Sequence, residues 1–207
     1  MADQNHDQIG NRAAGDRLAA TVAPDRLAIA AMLTLTSPFT PMLFMGEEWA
    51  ASTPWQFFTD FDDELGEATR AGRISEFARM GWDRSLVPDP QDRATFERSK
   101  LRWEELDDPA HARMLTIYRE LIALRRELPE LTDPRLDRVV VDHDADARWL
   151  VQQRGAVTVV ANLGDGELRL PGITERGSIR FATAPERIGS DGDELVVGGR
   201  SGAVVSG

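Results

Sequence analysis

A helix followed directly by a buried apolar run is the pattern that most limits how the first part of this chain can fold. Residues 24–36 predict a helix, because Pro24 suits a first helical position and apolar side chains recur at helical spacing. A Ser-Pro pair ends this helix. Residues 41–45 then form a short continuous apolar run closed by Gly46, which is typical of a strand buried on both faces of a parallel sheet. Helix followed by buried strand is the unit of an α/β fold.

The later part of the chain changes to short β-type runs separated by glycine-containing turns. Helices are predicted around 67–80 and over 109–127, the second with an apolar stripe along one face. The short runs that follow are typical of a small antiparallel sandwich. We therefore predict two domains, 1–132 and 133–207. The predicted strands cover residues 138–142, 148–153, 157–162, 167–170, 179–181 and 195–197.

The composition indicates a globular protein and disfavours two classes of partner. Asp and Glu outnumber Lys and Arg by 35 to 24, and the net charge of -11 would repel phosphate backbones and anionic headgroups. Nucleic acid and membranes are therefore not expected as partners. Cysteine is absent, and the spacing of His, Asp and Glu indicates no metal site, so no metal and no cofactor are expected. The polar N-terminus lacks a signal-type apolar stretch, which favours a cytoplasmic protein.

A polar cluster near the N-terminus is the first candidate site. The run Asn-His-Asp-Gln at 5–8 is followed by Arg12 and by Gly-Asp-Arg-Leu at 15–18. Such a set of donors and acceptors suits hydrogen bonding to a polyhydroxylated ligand. On composition alone, a solvated tail without a task explains the same residues, and that alternative stays open at this point.

The amino-acid sequences of these segments resemble those of a known enzyme family. Residues 5–8 resemble the last short catalytic motif of the α-amylase superfamily, which follows the seventh strand of a (β/α)8 barrel. Residues 41–48 resemble the eighth strand and its exit loop, at the spacing that one intervening helix would leave. Longer stretches at 8–12 (Gln-Ile-Gly-Asn-Arg), 53–58 (Thr-Pro-Trp-Gln-Phe-Phe), 89–92 (Asp-Pro-Gln-Asp) and 99–103 (Ser-Lys-Leu-Arg-Trp) are similar to the malto-oligosyltrehalose trehalohydrolase family.

This resemblance implies an α/β plus all-β architecture: the last strand-helix units of a (β/α)8 TIM barrel, followed by a small C-terminal antiparallel β-sandwich. It also implies retaining hydrolysis of the α-1,4-glucosidic bond next to the terminal trehalosyl unit of malto-oligosyltrehalose, which releases trehalose in trehalose biosynthesis. Retaining enzymes hold a nucleophile and an acid about 5 to 5.5 Å apart. We expect both to lie before Met1, so the chain is expected to be a C-terminal piece that is inactive alone.

The resemblance assigns roles to individual residues. Asp7 matches the carboxylate that stabilises the transition state through hydroxyls of the distorted sugar. Glu47 and Glu48 are sequential neighbours on one loop, whereas a working pair must face the bond from two sides. They are therefore not expected to replace the absent carboxylates. The expected substrate-binding residues are Asn5, His6, Gln8, Arg12, Glu48 and Trp49.

Several other side chains allow a structural interpretation. Trp55 and Trp82, like Trp49, either stack on glucose rings or anchor their loops, and both interpretations stay open. Arg73 and Glu76 are most simply interpreted as an exposed helical pair. His111 and His143 are expected to be solvated.

A second hypothesis belongs to another class of function. The chain would be a non-catalytic carbohydrate-binding module, or would complement a separately encoded N-terminal half. The apolar run at 41–45 motivates this hypothesis, since without barrel neighbours it would leave apolar surface exposed. Malto-oligosyltrehalose or a related α-glucan is the expected ligand under both hypotheses.

Overall fold

The computed structural model describes residues 1–207, apart from the side chains of Arg84 and Arg176. The helices are α1 (His6–Gly10), α2 (Pro24–Thr36), α3 (Asp63–Arg79), α4 (Arg93–Ser99) and α5 (Pro109–Glu127). The strands are β1 (Val139–Asp144), β2 (Trp149–Arg154), β3 (Val157–Asn162), β4 (Leu168–Leu170), β5 (Ser178–Ala182), β6 (Ile188–Asp191), β7 (Glu194–Val197) and β8 (Ser201–Ser206). Within this described chain, no helix is long and apolar enough to cross a bilayer.

The predicted helices at 24–36 and 109–127 are confirmed at these bounds. The helix predicted around 67–80 begins earlier, at Asp63, because the Asp62 side chain caps it by accepting a hydrogen bond from the Leu65 amide at 3.1 Å. Helices α1 and α4 were not predicted, since both are too short to show a helical periodicity.

The chain divides into two units, and each is described by itself. Unit 1 contains residues 1–3, 22–42 and 112–207, and unit 2 contains residues 4–21 and 43–111. Each unit joins segments that are distant in sequence. The predicted domain boundary before residue 133 stays a prediction.

Two antiparallel sheets account for the strands described in unit 1. The first has the order β1-β2-β3-β8-β5 and the second the order β4-β7-β6. The central strands β3 and β8 are buried along their whole length, whereas the edge strand β1 is mostly exposed. The antiparallel pairing confirms the prediction for this part of the sequence. Both sheets contribute to the apolar core, which contains Val151, Val160, Ile173, Leu195, Val197 and Val205.

Strands β6 and β8 were missed by the sequence analysis. Strand β8 is rich in small residues, and only Ala203, Val204 and Val205 give it an apolar character. Its Gly202 lies against α2: a Cβ atom there would be 2.4 Å from Met32 Cε and 2.7 Å from the Val160 carbonyl oxygen. The small residue therefore permits the close approach of helix and strand, and it also weakens the local β signal.

Residues 41–45 do not form the predicted buried strand. Met42, Leu43 and Met45 are 50%, 36% and 43% exposed, and the segment takes part in no strand pairing among the described residues. A parallel strand buried on both faces needs a hydrogen-bonded neighbour on each side and a packed layer above and below. Without those neighbours in the structure, an apolar sequence alone does not produce a buried strand.

Candidate functional site

The segment that matches the Asn-His-Asp motif forms the start of helix α1 in unit 2. Asn5 caps this helix, and its side-chain oxygen accepts a hydrogen bond from the Gln8 amide at 2.8 Å. The cap directs the chain so that the next two side chains face solvent: His6 is 65% and Asp7 73% exposed. His6 Nε2 lies 3.0 Å from an Asp7 carboxylate oxygen. The two residues thus form an accessible pair that can bind hydroxyl groups.

Trp55 packs against helix α1. Its indole lies edge-on to the His6 ring at a centroid distance of 6.3 Å. A Cβ atom at Gly10 would lie 2.7 Å from the Trp55 ring, so only glycine fits there without displacing the indole. The Trp55 amide donates to the Gly15 carbonyl at 2.8 Å. Trp55 therefore anchors the segment that carries the pair, which is the structural one of its two predicted roles.

Arg73 is a second support: its predicted ion pair with Glu76 is present, but the prediction that Arg73 is exposed is wrong. Its side chain is only 11% exposed, and its guanidinium lies over the rings of Phe57 and Phe77 at 4.7 and 4.5 Å. It donates a hydrogen bond to the Gly10 carbonyl at the end of α1. The contact with Glu76 is long, at 3.9 Å. Burial lowers the pKa of Arg73, with Glu76 opposing that shift.

The remaining predicted residues of the first segment lie on its surface. Gln8 is exposed. Arg12 binds Asp16, with its Nε 2.7 Å from a carboxylate oxygen. That hydrogen bond lowers the pKa of Asp16 and outweighs the effect of its partial burial. Arg12 is therefore available to a ligand only from the side that Asp16 leaves open.

The Glu-Glu-Trp run lies in a short 3-10 turn after Gly46, whose φ of 83° favours glycine. Glu48 is half-buried, and one of its oxygens is buried without a hydrogen bond. Trp49 is 2% exposed, its ring packs on Trp103 at 4.9 Å, and its Nε1 donates to Glu105 at 3.4 Å. This position favours an anchoring role for Trp49 over the predicted contact with substrate.

Arg17 holds this turn in place; the sequence analysis included it in the polar cluster at 15–18 but gave it no role of its own. It is 3% exposed and donates from Nε to the Thr53 carbonyl and from Nη1 to the Met45 carbonyl, both at 2.7 Å. These two carbonyls lie on either side of the turn. Burial lowers the pKa of Arg17, with the carboxylates of Glu48 and Glu47 opposing that shift. An arginine in a loop gives no sequence signal of this burial.

Two further groups complete the support of the turn. Glu105 accepts hydrogen bonds from the Ser52 hydroxyl at 2.5 Å and from Arg102 at 2.9 Å. Burial raises the pKa of Glu105, but these hydrogen bonds outweigh the effect of burial, so the net pKa lies below its usual range.

His111 was expected to be solvated, and this is wrong: its Nδ1 lies 2.7 Å from the Trp49 carbonyl oxygen. Among the described residues, no cluster of His, Asp and Glu is arranged to hold a metal ion.

Comparison with known proteins identifies relatives along nearly the whole chain. A family model described as "Domain of unknown function (DUF3459)" matches residues 134–204. A malto-oligosyltrehalose trehalohydrolase of Brevibacterium helvolum is 58% identical over 171 residues, which are 82% of this chain and 29% of the relative. One from Rhizobium sp. (strain M-11) is 51% identical over 206 residues, 99% of this chain and 34% of the relative. The chain belongs to the malto-oligosyltrehalose trehalohydrolase family. It spans about a third of the length of these relatives.

Solved structures share the fold of this chain. A crystal structure from Salmonella typhimurium named as an alpha amylase superposes with a TM-score of 0.81 at 33% identity, covering 99% of this chain and 34% of that one. An alpha-amylase from H. orenii shares the fold, with a TM-score of 0.58 at 15% identity. The superposition covers 99% of this chain and 39% of the alpha-amylase chain. The relatives named above confirm the resemblance stated from the motifs.

Proposed function

We propose that this chain forms the sugar-binding and charge-stabilising side of a trehalohydrolase active site. The reaction is retaining hydrolysis of the α-1,4-glucosidic bond next to the terminal trehalosyl unit of malto-oligosyltrehalose, with release of trehalose. The observation that carries the proposal is the exposed pair of His6 and Asp7 on α1, in a chain whose relatives bear that enzyme's name. A cytoplasmic location is part of the proposal.

Asp7 has the central role in this proposal. Its carboxylate accepts hydrogen bonds from sugar hydroxyls, and these bonds strengthen as positive charge develops on the distorted ring. His6 binds the same sugar, and Asn5 orients both residues through its cap on α1. Gln8 and Arg12 are proposed to contact the substrate from the exposed surface beside them. Glu48, which is half-buried, is proposed to contact the substrate through the exposed part of its side chain, and Trp49 is proposed to act through the position of the turn.

The fold proposal places residues 1–132 at the end of a (β/α)8 barrel and residues 133–207 in a C-terminal sandwich. The similarity to alpha amylases and the antiparallel sheets of unit 1 support it. The match of the family model over 134–204 supports the boundary between the two. The nucleophile and the acid are proposed to come from polypeptide outside this sequence, so the chain binds substrate and does not turn it over alone.

Binding and turnover of maltotriosyltrehalose test the proposal together. We expect calorimetric titration to show binding by the chain, and a trehalose assay to show no release above background. Asp7→Asn should weaken binding by about tenfold or more, since a hydrogen bond to a charged group is lost. Asp142→Asn, a change of the same kind in the exposed strand β1, serves as the control and should bind normally.

Two results would contradict the proposal. Equal affinity of the Asp7→Asn and unchanged chains would remove the assigned role of Asp7. Turnover by the chain comparable with that of intact family members would show that the outside carboxylates are not needed.

A non-catalytic or complementing module is the second candidate. The exposure of Leu43 and Met45, two positions apart in one short segment, supports it, because exposed apolar side chains that lie close together are typical of an interaction surface. Binding of the glucan that is insensitive to Asp7→Asn, together with no turnover, would favour this candidate over the first. Its proposed partner is a separately encoded N-terminal half.

A further inference from the structure

Strand β1 is an unpaired edge of the first sheet in unit 1. It stands at one end of the order β1-β2-β3-β8-β5, so one side of its backbone pairs with β2 and the other side faces no strand among the described residues. Val140 and Val141 are 61% and 50% exposed. Successive side chains of a strand lie on opposite faces of the sheet, so neither face of β1 is covered at these positions. The backbone groups on its free side are open to pairing with another strand.

Strand β1 lacks most of the features that protect the edges of natural sheets. Its pairing with β2 runs without a bulge from Val139 to Asp144, and it contains neither proline nor lysine. The other edge of the same sheet, β5, is interrupted by a register shift between Ile179 and Phe181. The carboxylates of Asp142 and Asp144 protect only the C-terminal half of β1. The valine half is therefore a surface for strand pairing.

The segment from Arg138 to Asp142 is complementary to itself in the antiparallel direction. Its sequence is Arg-Val-Val-Val-Asp. When two copies pair antiparallel with Val140 opposite Val140, the outer valines also lie opposite each other. Arg138 of each copy then lies opposite Asp142 of the other. One register thus pairs every valine with a valine and every charge with its opposite, and its twofold symmetry forms the charge pair twice.

The charged side chains of this register are available for pairing. Alternation along a strand places Arg138 and Asp142 on the same face as Val140. Arg138 is 59% exposed, and its contact with Asp133 is long, at 3.8 Å. Arg135 binds the same carboxylate more closely, at 2.5 Å. Asp133 therefore keeps a partner when Arg138 turns to another carboxylate, and Asp142 is exposed to receive it.

We propose that β1 pairs with β1 of a second copy of this chain, which joins two five-stranded sheets into one sheet of ten strands. The pairing satisfies backbone groups that β1 otherwise exposes, covers the valines and forms two ion pairs between Arg138 and Asp142. The net charge of -11 opposes association of the copies, so the expected dimer is weak. This inference is independent of the proposed function.

Sedimentation of the full chain over a range of concentrations tests the pairing. We expect a monomer–dimer equilibrium with a dissociation constant of about 10–500 µM, since one strand pair is a small interface. Asp142→Arg places two arginines opposite each other and should weaken the dimer by about tenfold or more, although it reduces the net negative charge. Exchanging the charges, Arg138→Asp with Asp142→Arg, leaves the net charge unchanged and should restore the affinity to within about threefold.

Asp193→Arg is the matched control for the single charge reversal. Asp193 is exposed in the turn between β6 and β7, and its hydrogen bond with the Gly172 amide uses only its backbone carbonyl. This variant should not weaken the dimer. A monomer at every concentration, equal weakening by Asp193→Arg and Asp142→Arg, or no recovery in the exchanged variant would overturn the proposal.

A single introduced thiol reports the register, because the chain contains no cysteine. In the proposed register the two copies of residue 140 have Cα atoms about 4.5–5.5 Å apart, within reach of a disulfide. The two copies of residue 141 are offset by two positions along the strand, beyond the limit of about 7 Å. Oxidation with diamide should therefore crosslink Val140→Cys and leave Val141→Cys largely monomeric. Equal or reversed crosslinking of the two variants would overturn the register and with it the charge pairing.

Discussion

Buried guanidinium groups connect distant segments of the chain at the scale of single residues. An arginine stays charged when buried and offers five donors, so it can satisfy several backbone carbonyls at once. Burial lowers the pKa of each of the four arginines concerned. Arg17 donates to Met45 and Thr53, Arg73 to Gly10, Arg125 to Leu35, Ser37 and Phe39, and Arg154 to Thr36, Leu131 and Asp133.

Replacing Arg73 should destabilise unit 2. Arg73→Met keeps an apolar stem over Phe57 and Phe77 but removes the donor to the Gly10 carbonyl, so we expect a loss of about 1–3 kcal/mol in the free energy of unfolding. Denaturant unfolding followed by tryptophan fluorescence measures it.

Arg79→Met is the control, because Arg79 is exposed on the same helix and, among the described residues, donates a long hydrogen bond of 3.4 Å to the Ser75 carbonyl. Equal stability of the two variants would show that the buried guanidinium contributes nothing specific.

At the scale of elements, the packing of helix α2 on strand β8 depends on the absence of a side chain at Gly202. In unit 1 the residues around this contact are fully buried: Met32 and Ala203 are both 0% exposed. Cores packed at this density do not absorb an extra methyl group without displacement of a neighbour. The contact therefore sets the distance between α2 and the first sheet.

Gly202→Ala should lower the free energy of unfolding by about 1–3 kcal/mol, because its Cβ would overlap Met32 and the Val160 carbonyl. Calorimetric or denaturant unfolding measures the change. Gly189→Ala is the matched control in strand β6, where a Cβ atom would meet nothing within 4 Å. It should be neutral or stabilising by up to about 1 kcal/mol. A neutral Gly202→Ala would mean that α2 moves freely on the sheet.

At the scale of the whole molecule, Leu43 and Met45 are two of many exposed apolar side chains, and they belong to the run that was predicted to be buried. The chain spans about a third of its relatives' length, and these side chains are exposed in the structure. Exposed apolar side chains favour association of copies of the chain. The net charge of -11 opposes that association, because the copies repel each other.

Exposure of this segment predicts binding of a hydrophobic dye. The double substitution Leu43→Gln with Met45→Gln should lower dye fluorescence substantially while leaving the unfolding midpoint nearly unchanged, because neither side chain is buried. The control pair, Leu65→Gln with Met80→Gln, replaces a leucine and a methionine that are 51% and 59% exposed but far apart in sequence. If both pairs lower the fluorescence equally, or the unchanged chain binds no dye, the segment is not a special apolar surface.

The sequence by itself determined the elements whose signal is local. Helices α2 and α5 were predicted at their observed bounds, since helical periodicity and a proline stop are properties of the segment alone. The antiparallel strands with clear apolar runs were predicted for the same reason. The sequence motifs at 5–12 and 53–58 were enough to indicate the trehalohydrolase family.

The tertiary structure decided which of these residues are buried, and with what. Arg73 and Gly10 are 63 positions apart, and Trp49 and Glu105 are 56 apart, so no local pattern reports that they meet. For the same reason Trp49 is buried and the apolar run at 41–45 is not. Burial depends on which neighbours the fold brings to a side chain, whereas periodicity depends only on the residues beside it.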